Sequence, residues 1–201
     1  MGSTTALALA YLMLCGSRSG EALGARWSEI DDDAPIWEIP VTRMKNGKSH
    51  VVPLTDPALG ILKIMRERHP SSDYLFPADH GGLLSNRALE SLIHRQLNLP
   101  CSVHGFRSSL RDWLGNETDV PRETCEEILS HTLGGVEGAY RRSSSTAKKR
   151  AALELWAAYL AKERGLSRQR TFRRRSDRRV TPALDQTRKL SAQRVKTRLT
   201  T

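Results

Sequence analysis

Between Ala6 and Cys15 the chain reads ALALAYLMLC, ten residues without a charge. A helix that is apolar all round is stable only where other elements cover it. Ten residues are too few to cross a bilayer as a helix. The run is not a secretory leader either, because no basic segment precedes it and no small-x-small cleavage site follows it. It predicts a buried helix over residues 4–15, with Ser3, Thr4 or Thr5 as possible caps, broken at Cys15-Gly16-Ser17. A length of 201 residues gives one domain of ordinary size, or one domain and a tail. That is enough chain to bury a core without disulfide or metal staples.

Downstream, EALGARW (21–27) reads as a short amphipathic helical turn, and Asp31 to Pro35 as a loop. IWEIPVT (36–42) and HVVPL (50–54) are β-prone, with Asn46-Gly47 between them as a two-residue hairpin turn. Pro40 and Pro53 mark these as short or edge strands. The remainder is mostly helical. Helices are predicted over 56–68, capped by Asp56, over 85–97, capped by Ser85, and over 105–115. Two more are predicted over 121–129, with Pro121 in the first turn, and over 146–164. Tyr74 to Pro77 is a short extended piece. The fold class is therefore α+β and mostly helical, with a small antiparallel sheet on the hairpin.

Charge is unevenly placed. Residues 166–201 carry twelve Lys or Arg against Asp177 and Asp185, which accounts for the whole net charge of +10. Residues 1–165 are neutral, with twenty cations and twenty anions. We expect a domain over 1–165 and a basic tail over 166–201 that lacks a fixed structure. Such a tail favours nucleic acid without sequence preference. Cys15, Cys101 and Cys125 are odd in number and form no Cys-x-x-Cys pair. Neither a disulfide framework nor a zinc ribbon is indicated, and free thiols fit a reducing cytoplasm.

Four separated patches carry polar chemistry. They are Arg18 with Glu21, Lys45 and Lys48 near the hairpin tip, His104 with Arg107, and His131 followed nine residues later by Tyr140-Arg141-Arg142. Singly, each has an ordinary reading. Arg18 and Arg107 would be paired arginines, Glu21 a helix N-terminal carboxylate, and Lys45 and Lys48 solvated turn lysines. His104 would be a cap, His131 a satisfied helix-end histidine and Tyr140 a packed aromatic. Together they match the needs of one phosphodiester. Two arginines can bind its non-bridging oxygens and neutralise charge on a phosphorane. A lysine on a hairpin can protonate a leaving oxygen, histidines can shuttle a proton, and cations around a tyrosine lower its pKa. The set needs no metal and no cofactor.

The segments RSGEALGARWSEID, MKNGKSHVVPL, HGFRSSLRDW and ILSHTLGG to AYRR, in that order, resemble the tyrosine recombinases, or phage-type integrases. The likeness is to the catalytic domain, above all in integrases of satellite phages and genomic islands, and runs from about residue 6 to residue 164. It implies catalytic roles for Arg18, Lys45, His104, Arg107, His131 and Tyr140, and a supporting role for Glu21. Lys48, Arg141 and Arg142 are expected to contact DNA. It further implies cleavage of duplex DNA through a 3′-phosphotyrosine, self-association into a tetrameric synapse, and a cytoplasmic, nucleoid-associated protein with no membrane partner. Family members carry a core-binding domain before the catalytic one. Here the chain opens almost at the helix before Arg18, so an N-terminally truncated catalytic domain is expected. Two departures stand out. HTLGGVEGAY is one residue shorter than expected for the subfamily, and Ser143 to Ala147 replaces a more acidic and hydrophobic linker. The alternative reading is an impaired remnant that only binds DNA.

Overall fold

The computed structural model describes residues 2–131 and 145–163. The chain divides into two compact units, Met1–Ala157 and Ala158–Thr201. All contacts below lie within the first. The second contains the predicted tail, which is outside the described residues.

The apolar run forms helix α1 (Thr4–Cys15), with the Ser3 hydroxyl accepting from the Ala6 amide. It contacts helices α2 (Ser19–Leu23), α3 (Asp56–Arg68), α4 (Asn86–Ser91) and α5 (Gly105–Glu117). Ala8, Tyr11 and Leu12 have no exposed surface. The Tyr11 ring lies 5.5 Å from Trp37 and 5.3 Å from Phe76, in tilted pairs. The absence of a polar face is thus explained by neighbours on several sides.

A 3₁₀ turn (Trp27–Glu29) leads into a three-stranded antiparallel sheet of β1 (Ile30–Asp31), β2 (Ile36–Ile39) and β3 (His50–Pro53). Asp31 both pairs with Ile36 and closes the turn, its carboxylate accepting from the Asp33 and Ala34 amides. The register Trp37↔Val52 and Ile39↔His50 places these four side chains in the core, while Glu38 faces out.

The expected two-residue hairpin turn is not what connects β2 and β3. The strands part after Ile39↔His50, and residues 40–49 lie between them. Pro40 lacks the amide needed to extend the ladder. Val41–Arg43 instead coil into a 3₁₀ turn, drawn inward by Arg43, which pairs with Glu29 and donates to the Glu21 carbonyl. Asn46-Gly47 still turns the chain, with Gly47 at φ +66° and its amide on Met44 O.

Among the helices, α3 has Thr55 at its N-cap, so Asp56 lies inside the first turn beside Pro57. The predicted 85–97 helix is α4 followed by a π-helical turn, Leu92–Gln96. Helix α6 (Arg122–Ile128) has Pro121 as its N-cap. Residues 145–163 are helical (α7). Lys149 donates to Val51 O, and Arg150 to Leu54 O, Ala34 O and Pro35 O, which holds the first turns of α7 against the sheet. Trp156 is buried beside Trp113, while the neighbouring Leu155 is 48% exposed.

Candidate active site

Gly16 ends α1 in the left-handed conformation, φ +62°. A Cβ there would lie 2.5 Å from Leu110 Cδ2, so both the backbone and the packing require glycine. The turn it makes presents Arg18 at the start of α2. Glu21, three residues on and 5% exposed, accepts from the Arg18 amide at 2.8 Å and from Arg18 Nη1 at 2.6 Å. The carboxylate caps the helix and orients the guanidinium, whose side chain stays 31% exposed.

The end of α6 organises the rest. Ser130 has φ +52°, its amide donates to Glu127 O, and the His131 amide donates to Glu126 O at 2.9 Å. This is the Schellman pattern, with serine where glycine is usual. A short helix leaves its last carbonyls without intrahelical partners. Here the carbonyl of Ile128 and the two that follow the helix are taken by side chains from three other elements. His50 of β3 donates to Ile128 O at 3.1 Å, and Arg107 of α5 to Leu129 O at 2.6 Å. Asn46 of the β2–β3 connection donates to Ser130 O at 3.4 Å and to its Oγ at 3.1 Å.

Arg107 also donates to Gly16 O at 2.5 Å, so one guanidinium joins the turn before Arg18 to the turn before His131. It is 4% exposed, and its Nε is buried without a partner among the described residues. Burial, and then the nearby Arg18 cation, push Arg107 down to about 10 against the opposing pull of Glu21. Two cations held this close favour an anion between or beside them.

His131 continues the Schellman turn back over α6. Its Nδ1 lies 2.6 Å from Glu126 Oε2, while Arg111 Nε donates to Glu126 Oε1 at 2.8 Å. His131 has a 44% exposed side chain, and Glu126 is buried. His104 is exposed at the N-cap of α5, one turn from Arg107. Lys45 and Lys48 are exposed on the connection that Asn46 ties to Ser130. Tyr140, Arg141 and Arg142 lie outside the described residues. The chain resumes at Ser145, whose hydroxyl donates to Glu127 of α6.

Residues 2–147 match the sequence profile of the phage integrase family. The chain belongs to that family. It is 34% identical over 151 residues to the prophage integrase IntA of Escherichia coli K12, covering 73% of this chain and 36% of that protein. It is 31% identical over 176 residues to the integrase of Enterobacteria phage P4, covering 78% and 40%. The chain thus spans well under half the length of these relatives. The fold matches that of the XerH site-specific recombinase, solved bound to its difH substrate before cleavage. That match has a TM-score of 0.56 at 19% identity, over 73% of this chain and 48% of the other.

Several residues that build this arrangement carry no signal of it in the sequence. His50 read only as part of a strand, and its burial follows from the register with Ile39. Glu126 lies, with Glu123 and Glu127, in the predicted 121–129 helix, whose early turns favour carboxylates. Its approach to His131 depends on Ser130 adopting a conformation for which glycine would have been the sequence signal. Asn46 read as a turn former, and Arg43 carried no signal.

Proposed function

We propose that this chain breaks and rejoins duplex DNA at specific sites, with Tyr140 as nucleophile. The tyrosine oxygen attacks the scissile phosphorus, the O5′ bond breaks, and the departing oxygen takes a proton, leaving a 3′-phosphotyrosine and a free 5′-hydroxyl. Attack by another strand's 5′-hydroxyl reverses the step, so bond energy is conserved and no nucleotide is consumed. Arg18 and Arg107 neutralise the non-bridging oxygens, Lys45 protonates the leaving oxygen, and His104 and His131 donate to oxygens or move the tyrosine proton. The carrying observation is the end of α6. Arg107 links the Arg18 and His131 turns, and Asn46 brings the lysine-bearing connection to the same place. Both ends of the segment holding Tyr140 meet α6, at His131 and at Ser145, which supports attack within this site.

Duplex DNA is then the partner, with Lys48, Arg141, Arg142 and the basic tail on neighbouring phosphates. Exchange between two duplexes breaks four strands, and each copy carries one nucleophile, so four copies act together. The place of work is the cytoplasm, at the nucleoid. No helix among the described residues is long and apolar enough to cross a membrane. A nicked duplex that loses its 5′-hydroxyl fragment would trap the covalent complex as a slowly migrating band. Tyr140→Phe should abolish the band while the fold survives, and chelators should leave it unchanged. A band from Tyr140→Phe would sink the assignment, and no band from the wild-type chain, even joined to a DNA-clamping domain, would leave the DNA-binding remnant.

A further inference from the structure

The strongest unassigned arrangement is the buried carboxylate behind His131. Glu126 is 6% exposed, and each of its oxygens has its own cationic or N–H partner. Oε2 lies 2.6 Å from His131 Nδ1, and Oε1 takes Arg111 Nε at 2.8 Å. A carboxylate only accepts, so the proton of this bond resides on Nδ1. Burial alone would raise a carboxyl group, yet Glu126 is held below the usual range by its bond to His131 and by Arg111, and so remains an anion at neutral pH. The bond needs no reach by either side chain. The Schellman turn has already placed the His131 backbone over Glu126 O, five residues back.

We propose that Glu126 is a positioning residue for His131 in DNA cleavage. It holds the proton on Nδ1, so Nε2 is the atom with which the ring meets the tyrosine proton or a phosphate oxygen. Which ring nitrogen is free to react is set by the bond the other one makes. Arg111 takes the other oxygen, which leaves Oε2 to the ring. This rests on the cleavage reading above, but the geometry stands apart from it, and the two can fail separately.

The test is histidine-selective ¹⁵N NMR above pH 8, with His131 assigned through His131→Gln, and trapping of covalent complex on a randomised library of nicked duplexes. Wild-type His131 should show the Nδ1–H form. Glu126→Ala should shift it to mainly Nε2–H and slow single-turnover trapping at least tenfold, with duplex affinity within twofold. Glu126→Gln has one oxygen for two donors and should fall between. Arg111→Ala separates positioning from general structural damage. It removes the partner of Oε1 and leaves the Oε2 bond to the ring in place, so it should keep the Nδ1–H form and most of the trapping. Nε2–H in the wild-type protein, or trapping within twofold of wild type for Glu126→Ala, overturns the proposal. Damage by Arg111→Ala equal to that of Glu126→Ala also overturns it. If the wild-type chain traps no DNA, the cleavage reading fails, and the tautomer measurement alone decides the Glu126–His131 pair.

Discussion

Asn46 and Ser130, 84 residues apart, are joined by a hydrogen bond of 3.1 Å from the Asn46 amide to the serine hydroxyl. The bond ties the connection that carries Lys45 to the residue before His131. Neither residue is a candidate for chemistry, yet together they set how far an exposed lysine stands from the site. Asn46→Ala should therefore slow covalent trapping about threefold to tenfold, the worth of a typical single hydrogen bond. Amide exchange over residues 41–49 should quicken, and the melting temperature should fall by only about 1–4 °C. Equal trapping rates would show that the lysine is placed by other means.

Ser130 occupies a left-handed position at φ +52°, which costs an L-residue about 1 kcal/mol. Ser130→Gly relieves that cost but loses the hydroxyl that Asn46 uses. In an Asn46→Ala background there is no such bond to lose, and the glycine should stabilise by about 1 kcal/mol. In the wild-type background the gain should be smaller by roughly 0.5–1 kcal/mol, the coupling read from a double-mutant cycle in urea. A coupling of zero would mean that the bond contributes nothing in solution.

His50 is buried, and burial, Lys149 and Arg107 hold it down to about 4, with Glu21 and the Ile128 carbonyl opposing. In the unfolded chain a histidine titrates near 6.5. Between these values the unfolded state binds the extra proton, so stability falls as pH falls. The contribution is absent above about pH 7 and reaches roughly 3 kcal/mol of lost stability near pH 4. His50→Gln keeps a donor for Ile128 O but does not titrate. Urea midpoints should converge for the two proteins as the pH is lowered, because only the wild type incurs this loss. Parallel pH profiles would place the proton elsewhere.

Gly16→Ala forces a Cβ toward Leu110, which has no exposed surface and little room to yield, and also strains the φ of +62°. The two effects should destabilise by about 2–4 kcal/mol. Because Gly16 O receives Arg107, trapping should fall more than stability alone explains when measured well below the melting temperature. A well-folded variant with unchanged trapping would separate the turn from the site.

Much of this molecule was legible along the chain. The uncharged run of residues 6–15 required burial. Capping residues and periodicity located the helices to within a few residues, and the ordered patches around Arg18, Lys45, His104, Arg107 and His131 carried the likeness to the phage integrases that the family match bears out. These are local signals, carried by neighbours in sequence. What joins the patches is not local. His50 meets Ile128 O across 78 residues and Arg107 meets Gly16 O across 91. Such bonds depend on which backbone carbonyls a helix end leaves open, and every residue has the same carbonyl. The pairing of Glu126 with His131 spans only five residues, yet it too was hidden, because a serine rather than a glycine makes the left-handed turn. Residue chemistry shows in a sequence. Which shared backbone group each side chain satisfies is decided only when helices, sheet and turns are packed against one another.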